Sequence, residues 1–257
     1  MFLVKPRLIC DTTREWQFSM ELERRSSVDI LAFGAHPDDV EIGAAGTLAK
    51  LASSGGSIVL CDLTAGEMAS NGTPATRREE ALAAAEIMGV DLRICLGIPE
   101  LDLGKTDQYA EAVVEVIRRH RPRLVLAPWK QDRHPGHGHG ARLVQEACFL
   151  AGLSAFQPET GEPHRPEKVL FYMVNSQSRP DILVDISEYW EVKVEALKAH
   201  QSQFSPEGRV STILNSPAYL KGIEARDRYF GSLVGKGFAE GFVSREPMII
   251  GNLLDLL

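Results

Sequence analysis

Residues 33–50 read FGAHPDDVEIGAAGTLAK, with one histidine and two adjacent aspartates at the end of an apolar run. A phosphate-binding turn at such a place works through backbone amides, and carboxylates there would repel the anion. Neighbouring anions also repel each other unless positive charge lies beside them. Aspartate is a favoured helix N-cap, but capping accounts for only one of the pair. A divalent cation accounts for His36, Asp38 and Asp39 together. Imidazole with carboxylate suits zinc, and iron or manganese less selectively. One aspartate then ligates while the other faces the open position as general base for an attacking water. Adjacency alone does not say which does which.

A second cluster, DRHPGHGHG over 132–140, holds His134, His137 and His139, three of the seven histidines in the chain. Such concentration points to a site rather than to solvated loop residues. His134 and His137 are three apart and share a face if the segment is helical, whereas His139 points elsewhere. A catalytic zinc takes three protein ligands and keeps one position open. His36, one aspartate and one histidine of this cluster fill that count, with the choice among the histidines open. Glu67, in TAGEMASNGT, either contacts substrate or caps a loop.

The elements that must bring the two clusters together follow from periodicity. VDILAFGA (28–35) reads as a buried strand, followed by a helix over 43–55, a strand over 57–64 and a helix over 76–90. A strand over 91–97, a helix over 107–122, a strand over 123–129 and a helix over 138–151 continue the alternation. KVLFYMV and DILVDIS are strand-like, and a long helix over 188–204 precedes a loop-rich tail with one more helix. This order predicts right-handed βαβ units and an α/β fold with a mostly parallel, doubly wound sheet. Ligands bind such sheets at the carboxyl ends of the strands, so both histidine clusters fall on one rim. Residues 1–27 read as an N-terminal extension outside the core, and 28–257 as a single domain.

Composition narrows the partners. The 257 residues carry a net charge of −7, which argues against nucleic acid as a main partner. No apolar run approaches the roughly 20 residues that span a bilayer, and the N-terminus lacks the long apolar stretch of a signal peptide. The four cysteines are widely spaced without a CxxC pair. Buried thiols in a reducing compartment, and hence a cytoplasmic protein, are expected.

AHPDD after the first strand, TAGEMASNGTPATRREEA after the second and DRHPGHG after the fourth resemble the LmbE-like (PIG-L type) zinc deacetylases of N-acetylglucosamine conjugates. The resemblance runs from about Val28 to the C-terminus. Over YMVNSQSRPDILVDISEYWEVKVEALKAHQSQF and GKGFAEGF it is most similar to the bacillithiol-biosynthesis branch, which acts on N-acetylglucosaminyl L-malate. It implies a Rossmann-like sheet with helices on both faces and one zinc ion per chain. His36, Asp39 and His137 would be the ligands and Asp38 the general base. His134 would stabilise the oxyanion or protonate the leaving amine, Tyr219 would polarise the acetyl carbonyl, and Arg77 and Arg133 would hold the malate carboxylates. A homo-oligomer such as a hexamer is also implied. The alternatives are another N-acetylglucosamine or thiol conjugate as substrate, or a non-catalytic metal- or sugar-binding relative. One position departs from the pattern: Gly136 stands where the family carries an aspartate that orients the first histidine of its second motif. Either Asp132 substitutes for it or His134 is less well poised.

Overall fold

A computed structural model of the chain describes residues 15–17, 27–207, 209–247, 249 and 251–252. The apolar runs read as strands become β2 (Ile30–Gly34), β3 (Ile58–Asp62), β4 (Leu92–Cys95), β5 (Leu124–Pro128) and β6 (Lys168–Tyr172). β2, β3 and β4 are buried throughout, as befits parallel strands covered on both faces. They pair in parallel in the order β4-β3-β2-β5-β6. The chain winds outward from β2 through β3 to β4, then crosses back to β5. The strand order therefore reverses between β2 and β5, where a crevice opens at the carboxyl ends.

The helices α1 (Asp39–Ser53), α2 (Pro74–Met88), α3 (Thr106–His120) and α4 (Pro135–Ala151) alternate with these strands. Strand side chains divide by parity, as a two-residue period requires. Leu31, Phe33, Val59 and Cys61 join the core with α3 and α4 residues, while Ile30, Ala32, Ile58 and Leu60 join the core with α1 and α2. Three differences from the sequence reading stand out. Both site helices begin earlier than their apolar periodicity does, so Asp39 and His137 are helical residues. The helix expected over 188–204 is divided at His200 into α5 (Trp190–Ala199) and α6 (Gln201–Phe204), because the His200 ring turns inward to Glu41, 3.0 Å away. After β7 (Ile182–Asp185) and α7 (Pro217–Leu233), an unforeseen strand, β8 (Ala239–Ser244), lies antiparallel between β6 and β7. Its buried Glu240 breaks the apolar pattern that would have revealed it. Of the expected extension, Glu15–Gln17 form β1, antiparallel to β4 at the sheet edge; residues 1–14 and 18–26 lie outside the described residues.

Buried charges fix α1. Glu240 accepts from the backbone N–H groups of Gly46 and Thr47 at 3.0 and 2.7 Å, and Arg226 of α7 donates to the Ile42 carbonyl at 2.6 Å. Lys193 closes the group with contacts of 2.7 Å to both Asp227 and Glu240. Nearer the rim, Arg93 reaches Asp62 at 2.7 Å and also binds Glu41. No described helix is long and apolar enough to cross a membrane.

α1 lies so close to β6 that a Cβ on Gly43 would stand 2.2 Å from the Tyr172 ring. Gly43→Ala should therefore cost the roughly 1–3 kcal/mol of stability typical of overpacking and lower the thermal midpoint accordingly. Exposed Gly222, mid-helix in α7 with nothing within 4 Å of its added Cβ, gives the opposite control. Gly222→Ala should stabilise by about 0.5–1 kcal/mol in the same melting experiment.

Candidate active site

β2 ends at Gly34, and the chain turns through His36, Pro37 and Asp38 before α1 begins at Asp39. Asp38 takes φ 113°, in the left-handed region that aspartate tolerates better than most residues but still at a cost. The turn separates the two carboxylates. Asp39 faces the histidines, with its Oδ2 accepting from the His36 backbone N–H at 3.0 Å and lying 3.5 Å from His36 Nδ1. Its Oδ1 is 3.0 Å from His137 Nε2. Asp38 instead accepts from Arg77 Nη2 at 3.0 Å, and the same nitrogen donates to the Pro37 carbonyl. Gly66 makes that approach possible, because a Cβ there would lie 2.2 Å from the guanidinium.

The second cluster caps α4. His134 is its N-cap, and His137 and His139 lie in its first turns. His137 projects into the crevice with its Nδ1 3.0 Å from Asp132 Oδ1, while His139 is exposed. The imidazoles of His36, His134 and His137 bring ligand atoms within 4.8 Å of one another. Buried His36 Nε2 has no aligned hydrogen-bond partner, although Glu100 Oε1 is 3.3 Å away. Converging nitrogen donors, an orphaned ring nitrogen and a shared carboxylate fit a divalent metal. Electrostatics agrees. Burial opposes charge on His36 and His137, yet the carboxylates of Asp39, Glu100 and Asp132 outweigh it and carry their pKa values up to about 9 and about 10. Asp39, despite its burial, is held well below the usual carboxylate range by those histidines. Carboxylates that favour positive charge on these two imidazoles make a charge pattern that suits a dication. Asp38 behaves oppositely: burial pushes it up to about 6, with Arg77 opposing the rise.

The remaining expected residues sort by position. Arg77, expected to hold a substrate carboxylate, is 3% exposed and gives one guanidinium nitrogen to Asp38 and the Pro37 carbonyl, while its buried Nε has no hydrogen-bond partner among the described residues. Arg133 is exposed at the mouth, its Nη2 3.3 Å from Asn175 Oδ1. Tyr219 of α7 donates to the same oxygen at 3.0 Å, and burial with the nearby Asp38 charge pushes its pKa up. Glu67 accepts from the Glu100 backbone N–H at 2.5 Å, a loop-capping contact. Asp132 does not orient the His134 ring as proposed for it; its carboxylate serves His137 and accepts from the His134 backbone N–H at 2.9 Å. The His134 Nδ1 accepts instead from the Gly136 N–H at 3.2 Å, and a Cβ on Gly136 would be crowded at 3.0 Å from that nitrogen. Sequence reasoning missed Glu100 and Asn175. Glu100 lies in a short 3-10 turn after β4 and approaches both His36 and His134, the latter at 4.0 Å. The one available signal was its place on the same carboxyl-end rim.

Residues 31–148, which contain every histidine and aspartate of this cluster, match the family model described as GlcNAc-PI de-N-acetylase, PIG-L. The diacetylchitobiose deacetylase of Thermococcus kodakarensis is 36% identical over 226 residues, 82% of this chain and 81% of that protein. A probable N-acetyl-alpha-D-glucosaminyl L-malate deacetylase 2 of Bacillus subtilis is 27% identical, over 68% of this chain and 82% of that one. Among solved structures, the conserved protein TT1542 from Thermus thermophilus superposes with a TM-score of 0.79 at 37% identity, covering 88% of this chain and 98% of its own.

The opposite partners of the two aspartates give a direct test. Asp38→Asn should retain metal at wild-type stoichiometry while turnover falls by about 10²–10⁴-fold, the usual loss of a general base. Asp39→Asn should lose the metal. Metal analysis of the two purified variants, read beside their activity, would show the roles exchanged if Asp38→Asn is the one that emerges empty.

Proposed function

The chain belongs to the GlcNAc-PI de-N-acetylase (PIG-L) family, a deacetylase of N-acetylglucosamine-containing substrates, and from that premise we propose zinc-dependent N-deacetylation with Asp38 as base. One observation carries the assignment of roles: the adjacent carboxylates are divided, Asp39 between His36 and His137 and Asp38 on Arg77. His36, Asp39 and His137 would hold the metal, leaving half-exposed His134 for substrate. Zinc bound there would act as a Lewis acid on the acetyl carbonyl and on the attacking water.

The chain's own groups do the rest. Asp38, with a pKa near 6, accepts the proton of the attacking water close to neutral pH. Arg77 keeps that carboxylate oriented and opposes its neutralisation. Burial lowers the pKa of His134. With Nδ1 accepting from Gly136, the neutral ring carries its proton on Nε2, which then donates to the oxygen that gains charge. Tyr219, whose single proton goes to Asn175 Oδ1 in the substrate-free site, would turn that proton to the acetyl oxygen when substrate arrives.

For substrate, we favour small uncharged N-acetylglucosamine conjugates of the diacetylchitobiose kind over the malate glycoside. Support comes from the higher identity to the chitobiose enzyme and from the commitment of Arg77, one of the two expected malate clamps, to Asp38. Exposed Arg133 keeps the malate glycoside as the second reading. Residues 28–257 are proposed to work as one catalytic unit, in a cytoplasmic homo-oligomer, on the family resemblance and the cysteine usage.

Acetate release from diacetylchitobiose, free N-acetylglucosamine and the malate glycoside tests these readings. Activity should vanish with chelator and return with zinc; no release from any of the three by zinc-loaded protein would defeat the deacetylase assignment. Arg77→Ala should lower kcat on every substrate alike. If the malate reading is correct, Arg133→Ala will raise KM for that glycoside alone, by about 10–100-fold for a lost charged hydrogen bond.

A further inference from the structure

The exit of β6 is where three parts of the site meet. Backbone N–H groups of Asn175 and Ser176 donate to Asp132 Oδ2 at 2.8 and 2.7 Å, and Asp132 in turn contacts His137 Nδ1 at 3.0 Å. The Asn175 side chain completes the junction. Its Oδ1 accepts from Tyr219 Oη at 3.0 Å and from Arg133 Nη2 at 3.3 Å, and its Nδ2 faces Asp132 Oδ1 at 3.4 Å. An amide can accept from a phenol and a guanidinium on one end while presenting a donor to a carboxylate on the other. Aspartate at 175 would place like charge against Asp132, and an apolar residue would leave both donors without their acceptor. α7 docks on the same exit once more, through Arg226 Nη1 to the Met173 carbonyl at 3.0 Å. Tyr219 and Arg226, seven residues apart, share the helix face that meets this strand end.

We propose that Asn175 is a positioning residue for the reaction, holding the Tyr219 hydroxyl and the Arg133 guanidinium in register with the Asp132–His137 pair. The inference rests on the deacetylase reading of the site. It assigns Asn175 no contact with the reacting atoms: in the substrate-free site its Oδ1 accepts the phenol's single proton and fixes where Tyr219 Oη stands. That proton turns to the acetyl oxygen when substrate arrives, so loosening the phenol lowers turnover without weakening substrate binding to a similar degree.

A double-mutant cycle on the zinc-loaded full chain, with diacetylchitobiose as substrate, tests it. Asn175→Ala should lower kcat by about 10–100-fold, the scale of a misdirected oxyanion donor, and leave KM within about threefold. Adding Asn175→Ala to Tyr219→Phe should cost no more than about threefold beyond Tyr219→Phe alone. Wild-type kcat in Asn175→Ala, or losses that multiply in the double variant, would overturn the proposal. A substrate-free readout accompanies the kinetics. With 13Cζ-labelled tyrosine, the Tyr219 resonance, identified by its absence in Tyr219→Phe, should shift in Asn175→Ala; an unmoved resonance overturns the contact on which the proposal stands. Should Asn175→Ala fail to fold, Asn175→Ser serves in both measurements with the same expectations. If the wild-type protein releases no acetate, the deacetylase reading falls by itself while the resonance still decides the Asn175–Tyr219 contact.

Discussion

Two adjacent carboxylates buried at the end of one strand are the constraint around which the site is built. Asp38 and Asp39 are 3% and 2% exposed, so neither can rely on water for its counter-charge. The backbone answers by taking a left-handed conformation at Asp38 itself, sending one side chain toward the histidines and the other toward Arg77. Everything close by follows from that division. Gly66 must lack a side chain to admit the guanidinium, and His137 must arrive on the first turn of α4 to meet Asp39. The strand reversal between β2 and β5 is what brings the two turns face to face.

Such a turn holds its shape only if the helix behind it cannot slide. Glu240 and Arg226 take up backbone groups one turn apart in α1, and Arg93 ties Glu41, two residues past Asp39, to Asp62 on β3. These ion pairs are fully buried, where removing one partner strands the other at a typical cost of about 3–5 kcal/mol. Their distribution is informative: they connect α1 to β3, β4, α5, α7 and β8, elements from nearly the whole length of the chain. The rigidity required at a few rim residues is distributed through charges that never meet solvent.

Much of this was legible in the residues. Parallel strands announce themselves by unbroken apolar runs, and the paired histidine clusters at two strand ends foretold their meeting. The family resemblance supplied individual roles that spacing could not. What was hidden shares one physical character: polar groups doing buried work. Glu240 disguised β8, and His200 turned inward to interrupt a helix whose periodicity ran on without a break. The reach of Arg77 to Asp38 is invisible in the same way, across 39 positions of sequence. Glu100 and Asn175 come from segments with no motif of their own, and only the folded rim brings them beside the histidines.

The backbone N–H of Gly136 directed at His134 has a consequence of its own. A carboxylate in that role would itself gain and lose protons, and a single substitution could delete it. A main-chain amide does neither: it has no acid limb, and of the twenty residues only proline lacks it. The orienting group thus has no titration of its own, although the contact lasts only while His134 Nδ1 is unprotonated and a side chain at Gly136 would crowd it. The orienting contact is built into the helix start itself.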